Sequence, residues 1–257
     1  MGDEQPQKKR KFPWKTSYSN NSRKDVENRI GTTIKRLHLT AITVQEMLVL
    51  AKMFTLTSYK EDSGVKKIKE EVYREIVRYL RVEGHDTLTE SNANDLALFI
   101  IVPIIDGFIE QTGRDMVQLF RERQVVSEDG ETSRYEEFVI NGIEITEEKY
   151  IFIVEAKRDS LGNAMGQCLL AMKDMGDSNH GGVLYGFITT GDTWRMLRYD
   201  VFDESFLMTN KIEVVFDTMR REQERWIQDF SVIVDCVYSA LSDGIARKEV
   251  ACYATDW

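Results

Sequence analysis

The chain has few of the residues that build disulfide frameworks, metal centres and nucleophilic triads. It contains three cysteines and three histidines among 257 residues, and neither type occurs at metal-ligand spacing. Cysteines without a paired framework are typical of a protein in a reducing compartment. The scattered histidines give little support to a histidine-based metal site or a catalytic triad.

Further absences narrow the class of protein. The sequence has no Gly-x4-Gly-Lys-Ser/Thr motif, so it gives no indication of a P-loop ATPase. We find no apolar run of the length expected for a membrane span, and the N-terminus lacks the hydrophobic region of a secretory signal. With three prolines and 42% hydrophobic residues, the composition predicts a folded, soluble protein.

Charge is unevenly divided along the chain. Residues 1–25 contain seven Lys or Arg and three Asp or Glu, a net of +4, which leaves −13 on the rest because the total is −9. The basic run Lys8, Lys9, Arg10 and Lys11 fits either a solvated tail or a nuclear localisation signal read by an import receptor. We favour the signal because the run contrasts with an acidic body. The prediction is therefore nuclear localisation, with the cytoplasm as the alternative.

The most informative segment is YIFIVEAK at 150–157. Its continuous apolar run predicts a strand that is buried on both faces and therefore central in a sheet. Because side chains alternate along a strand, Glu155 and Lys157 project from the same face. A carboxylate and an ammonium at the end of such a strand are costly to bury unless they pair or hold a metal ion.

This segment and its surroundings resemble the PD-(D/E)XK, or restriction-endonuclease-like, nuclease superfamily, in particular a fungal-type branch. The resemblance consists of EAK at 155–157, Gln167 in GNAMGQCLLAM, and the strand, turn and strand of GVLYGFITTGDTWRMLRYD. It covers roughly residues 85–200. The upstream acid of the family motif corresponds to Glu136 or Glu137 in RYEEFVI, and Glu137 fits better because it directly precedes the apolar residues. The family usually has Asp there, so Glu lengthens the arm by one methylene.

The resemblance implies a metal-dependent nuclease that hydrolyses phosphodiester bonds, in DNA rather than RNA. Glu137, Glu155 and the main-chain carbonyl of Ala156 would bind Mg²⁺ or Mn²⁺ through oxygen. Lys157 would orient the attacking water and stabilise phosphate charge, and Gln167 would hold the water or the phosphate.

Other interpretations stay open from the residues alone. Glu155 and Lys157 also fit a strand-end ion pair, and Gln167 fits an ordinary helix-surface hydrogen bonder. The Glu at position 137 suits an alternative function, a catalytically weak or inactive nuclease-fold module that binds nucleic acid or protein partners in the nucleus. A further alternative is a nuclear protein–protein adaptor that uses the terminal helices and the acidic surface.

The acidic body opposes nucleic-acid binding unless basic side chains cluster near the site. The core segment contains seven candidates for such a cluster: Arg121, Arg123, Arg134, Lys157, Arg158, Arg195 and Arg198.

Hydrophobic periodicity predicts an α/β fold with the element order αβββαβ and additional N-terminal and C-terminal helices. This order matches the core of the superfamily that the chain resembles, so the resemblance implies a restriction-endonuclease-like core with a mixed central sheet. We expect a disordered basic tail at 1–24, a helical subdomain at 25–84 and the core with its C-terminal helices at 85–257. The predicted strands are 117–126, 137–145 with a turn at 141–142, 150–157, 183–189 and 193–199. The predicted helices include 91–113, kinked or split at Pro103, then 161–175 and 214–241.

Overall fold

A computed structural model of the chain describes residues 16–51, 63–83, 90–127, 132–144, 147–158, 161–216 and 219–252. The basic run at 8–11 and the predicted turn at 128–130 lie outside these ranges. The helices are α1 (Arg23–Ile30), α2 (Ile34–Leu39), α3 (Val44–Leu50), α4 (Ser63–Val82), α5 (Glu90–Thr112), α6 (Leu161–Asn179), α7 (Gln223–Arg225) and α8 (Val232–Cys252). The strands are β1 (Thr16–Ser17), β2 (Val117–Val126), β3 (Thr132–Glu144), β4 (Glu147–Ala156), β5 (Val183–Thr189), β6 (Thr193–Asp200), β7 (Ser205–Met208) and β8 (Ile212–Glu213).

The strands form one mixed, open sheet, so the predicted α/β class is confirmed. The order across the sheet is β2-β3-β4-β5-β6-β7, with β1 beside β3 and β8 beside β6. β4 and β5 are parallel and are joined through α6, as parallel neighbours require a crossover, whereas the other pairs in that order are antiparallel. The described elements from α5 to β5 follow the predicted order αβββαβ.

β4 is central and buried, as its composition predicts. It lies between β3 and β5, and Ile151, Phe152, Ile153 and Val154 are fully buried. Ile151, Phe152 and Val154 pack into one hydrophobic core and Ile153 into a second, because a strand covered on both faces needs apolar residues at consecutive positions. The charged residues at the end of β4 therefore lie at the end of a rigid central strand.

Helices cover both faces of this sheet. α6 packs on β4 and β5 on one face with α1 alongside it, whereas α8 packs on the same two strands from the other face, together with α4 and α5. α6 approaches β5 closely at Gly186, where a Cβ would lie 2.5 Å from Met172 Sδ and 2.7 Å from Cys168 Sγ. The residues predicted as a helical subdomain therefore pack on both faces of the sheet, with α1 on the face of α6 and α4 on the face of α8.

The structure corrects two predicted breaks in regular structure. α5 is continuous through Pro103, so the predicted split is absent and a kink stays a prediction; the nearby Ile101 and Ile104 are fully buried, and tertiary packing holds the helix together. The turn predicted at Asn141 and Gly142 is absent, because β3 continues through a bulge after Ile140 and keeps pairing with both neighbours.

The predicted C-terminal helix over 214–241 is wrong in its first part. Val214 is buried and donates its backbone N–H to the carbonyl of Asp192 at 2.7 Å, which holds the segment against the β5–β6 turn. Helical structure begins only at Gln223 and passes through a π-helical turn, Trp226–Phe230, before α8. A long-range hydrogen bond of this kind leaves no periodic signal in the sequence.

α5 is also the one helix of the described residues with the length and composition of a membrane span. The segment Asn92–Thr112 is long enough and apolar enough to cross a membrane, whereas the sequence was predicted to contain no apolar run of that length. Half of this window is buried within the fold, and α5 packs against α4 and α8. Its apolar character is explained by this position in the core.

The chain is already folded from residue 16, within the segment predicted as a disordered tail. β1 pairs with Thr132 and Ser133 at the start of β3, and Tyr18 is 2% exposed. The hydroxyl of Tyr18 donates to Asp174 Oδ2 at 2.5 Å, and Arg29 Nη2 donates to the other oxygen of the same carboxylate at 2.9 Å. This buried cluster fastens the N-terminal segment to α6.

Replacing Tyr18 by Phe should lower the free energy of unfolding by about 2 kcal/mol, because a hydroxyl bond to a buried carboxylate is lost. Urea denaturation followed by circular dichroism measures this change. Tyr135→Phe provides a matched control, since Tyr135 is 54% exposed and we expect a change below about 0.5 kcal/mol. Equal stability of the two variants would contradict the assignment of Tyr18 as an anchor.

Candidate active site

Glu137 and Glu155 lie next to the last paired residues of β3 and β4. The antiparallel pairing of these strands ends at Phe138 and Val154, and each glutamate is the next residue along its strand. Glu155 in turn pairs with Ile188 of β5. The two carboxylates that the sequence places on successive strands therefore arise from neighbouring positions at one end of the sheet.

The side chains meet at the ammonium group of Lys157. Its Nζ lies 2.7 Å from Glu137 Oε1 and 3.4 Å from Glu155 Oε1. The second oxygen of Glu137 accepts the backbone N–H of Ala156 at 2.9 Å. The backbone N–H of Lys157 donates to the carbonyl of Thr189 at 2.9 Å, which fixes the end of β4 to β5. Both carboxylates and the ammonium are thus held by the sheet itself.

These three charged groups differ in their access to solvent. The Glu155 side chain is fully buried, whereas those of Glu137 and Lys157 are 15% and 16% exposed. The following residue, Arg158, is exposed. A buried carboxylate is stable only with a compensating cation, and Lys157 supplies one positive charge for two acids. The cluster therefore contains two carboxylates and one ammonium group, and its partly exposed members are Glu137 and Lys157.

Glu136, the alternative upstream acid, is fully buried beside the same cluster. Burial, and then the negative charges of Glu136 and Glu155, raise the pKa of the Cys168 thiol well above its usual value. Both carboxylates thus lie within electrostatic reach of α6. Cys168 is fully buried and packs on Gly186, an environment typical of a structural cysteine.

Gln167 lies in the first half of α6 and is partly buried. It neighbours Cys168, which places it on the helix that covers the two carboxylates. Its predicted contact with water or phosphate stays a prediction.

The seven basic candidates do not all reach this end of the sheet. Arg198 is 8% exposed and pairs with Asp200 at 3.0 Å, so it is part of a buried network. The Arg134 side chain lies outside the described residues. Arg121 and Arg123 of β2 stack over Phe rings, with Arg123 at 4.4 Å from the ring centroid of Phe120. Arg195 of β6 donates from Nη1 to the carbonyl of Thr209 at 2.7 Å.

The donor set suits a hard divalent cation. Carboxylate oxygens are the ligands that Mg²⁺ prefers, and Glu137 and Glu155 converge on a position that the Lys157 ammonium now shares. Within the described ranges, no group of three or more His, Cys, Asp or Glu side chains is placed to hold a metal ion. The carbonyl of Ala156 stays the predicted third ligand. Waters would complete such a shell, as Mg²⁺ usually retains several.

The chain matches no protein-family model, no curated protein and no solved structure.

Proposed function

We propose that the protein is a metal-dependent nuclease that hydrolyses phosphodiester bonds in DNA, on a core of the restriction-endonuclease-like type. The observation that carries the proposal is the meeting of Glu137, Glu155 and Lys157 at the end of two central strands. An acid on one strand and Glu-x-Lys on the next are the arrangement that the sequence resemblance implies. The order from α5 to β5 supports the same core.

Phosphodiester hydrolysis needs a water nucleophile, neutralisation of charge on the phosphate and stabilisation of the leaving oxygen. A Mg²⁺ or Mn²⁺ ion held by Glu137, Glu155 and the carbonyl of Ala156 would supply charge neutralisation when bound. Lys157 holds a positive charge at the exposed side of the cluster, where it can orient a water and bind a phosphate oxygen. Gln167 would hold the water or the phosphate from α6.

The second candidate function is that of a nuclease-fold binding module. Such a module keeps this arrangement of charged side chains but does not hydrolyse phosphodiester bonds. The Lys157 ammonium and the Ala156 N–H already satisfy three carboxylate oxygens of Glu137 and Glu155, as in a structural ion-pair network. Such a module would bind nucleic acid or protein partners in the nucleus. Nuclear import through the basic run at 8–11 is a proposal common to both functions.

The test is cleavage of linear and supercoiled DNA in Mn²⁺ by purified protein. We expect Glu137→Gln to reduce the rate by about 10²-fold, because one carboxylate ligand is lost. The neighbouring change Glu136→Gln is the matched control and should retain activity within about tenfold. The reverse order of effects would assign the upstream acid to Glu136. Cleavage at equal rates in both variants and in the unaltered chain would indicate a contaminating enzyme and overturn the proposal.

A further inference from the structure

The row of side chains that contains Glu155 continues across the sheet to a basic residue. Glu155 pairs with Ile188 of β5, and Ile188 pairs with Arg195 of β6. Directly paired residues project from the same face of a sheet. With about 4.8 Å between strands, the Cα of Arg195 lies about 10 Å from that of Glu155. The acidic cluster thus has a basic neighbour at a distance fixed by β-pairing.

His38 and Arg23 are two further basic residues near Arg195. Arg195 Nη1 donates to the carbonyl of Thr209 at 2.7 Å, which uses one of five guanidinium N–H groups and holds the side chain in place. Partial burial, and then the positive charges of Arg195 and Arg23, lower the pKa of His38. The guanidinium groups of α1 and β6 therefore lie close enough to His38 to repel its proton.

Hydrogen bonds and packing relate Arg23 and His38 to Arg195 through α2. Glu27 Oε1 pairs with Arg23 Nε at 2.9 Å and accepts the backbone N–H of Ile34, the first residue of α2, at 2.9 Å. α2, which contains His38, packs on β7, and Ile42 after α2 forms a β-bridge with Thr209, the residue whose carbonyl accepts Arg195. The three basic residues therefore lie along one connected path from α1 to β6.

The charge of this group favours an anion. Glu27 pairs with the Nε of Arg23 at 2.9 Å and is the one acid in contact with it among the described residues. Two guanidinium groups thus act on His38, and positive charges at close range repel one another unless an anion binds between them.

We propose that Arg23, His38 and Arg195 form a second phosphate-binding site, which holds the nucleic-acid backbone on one side of the scissile bond. The inference rests on the proposed function, because it takes the scissile phosphate to lie at Lys157. A span of about 10 Å corresponds to roughly three base-pair steps measured along the axis of a duplex, at about 3.4 Å each. The site binds phosphates of the sugar–phosphate backbone and reads no sequence.

The experiment measures the affinity of the full-length chain for a fluorescein-labelled 20-base-pair DNA by fluorescence anisotropy, in EDTA and over a series of KCl concentrations. Arg195→Gln and Arg23→Gln are each expected to weaken binding by about tenfold and to reduce the slope of log affinity against log salt by about 1. Lys67→Gln is the matched control, since Lys67 is an exposed cation on α4, on the opposite face of the sheet. Its affinity and salt slope should stay within twofold and about 0.3 of those of the unaltered chain.

Arg23 is exposed, so Arg23→Gln keeps the test informative even if Arg195→Gln lowers the melting temperature. Binding and salt slope that match the Lys67→Gln control in both variants would overturn the inference, whether or not the protein cleaves DNA. Weakened binding in both variants without any cleavage in Mn²⁺ by the unaltered chain would support the phosphate site and contradict the nuclease. Failure of the unaltered chain to bind the DNA in EDTA would overturn the inference, while cleavage in Mn²⁺ would still support the nuclease.

Discussion

Replacing Glu155 by Gln is expected to reduce Mn²⁺-dependent cleavage of DNA by about 10³-fold. The Glu155 side chain is fully buried, whereas Glu137 is partly exposed, so a water molecule replaces a lost carboxylate ligand less readily at Glu155. The amide has nearly the same shape and leaves the 2.7 Å pair between Lys157 and Glu137 in place. Activity should therefore fall far more than stability, which we expect to change by less than about 1.5 kcal/mol.

Mn²⁺ titration followed by calorimetry gives a second readout for this variant. The heat of Mn²⁺ binding should disappear in Glu155→Gln and persist in a control such as Glu213→Gln, at an exposed position of β8. Unchanged Mn²⁺ affinity in Glu155→Gln would contradict the assignment of Glu155 as a metal ligand. Absence of Mn²⁺ binding by the unaltered chain would favour the module without hydrolysis.

Replacing Lys157 by Met should lower the free energy of unfolding by about 3 kcal/mol and abolish cleavage. The ammonium is the cation in contact with both Glu137 and Glu155, and removing one partner of a buried ion pair leaves the carboxylate charge uncompensated. A divalent cation should then restore part of the stability. We expect Mn²⁺ to raise the melting temperature of Lys157→Met more than that of the unaltered chain, because a cation that binds only the folded state stabilises it.

Lys149→Met is the control for this experiment, since Lys149 lies on the same strand at the opposite end of β4. Its melting temperature should change little and should respond to Mn²⁺ as the unaltered chain does. A Lys157→Met variant that is destabilised and does not respond to Mn²⁺ would indicate that the carboxylates form a structural ion pair only. That outcome would remove the main support for the proposed hydrolase.

The sequence predicted the elements whose residues carry a strong local pattern. β2 and β5 have the predicted bounds, and α6 begins at the predicted residue, because apolar runs and a buried helix face are visible over a few residues. The shared face of Glu155 and Lys157 also follows from strand alternation alone. These features need no knowledge of the rest of the chain.

The remaining features depend on contacts between distant residues. β1 pairs with β3 more than a hundred residues away, and two-residue strands such as β1 and β8 carry no pattern of their own. Arg23 belongs to the predicted disordered tail and His38 to the predicted helical subdomain, and no sequence signal relates either of them to Arg195. Their proximity depends on Glu27, which joins Arg23 to α2, and on the packing of α2 against β7.

The parallel pairing of β4 with β5 also has a consequence for the order of events during folding. Glu137 and Lys157 belong to one hairpin and are separated by 20 residues, so their approach requires closure of a short loop. The bond from the Lys157 amide to Thr189 closes only after α6 has crossed the sheet. We therefore expect the acid–lysine pair to form early and its attachment to β5 late, because contacts of low sequence separation generally form faster.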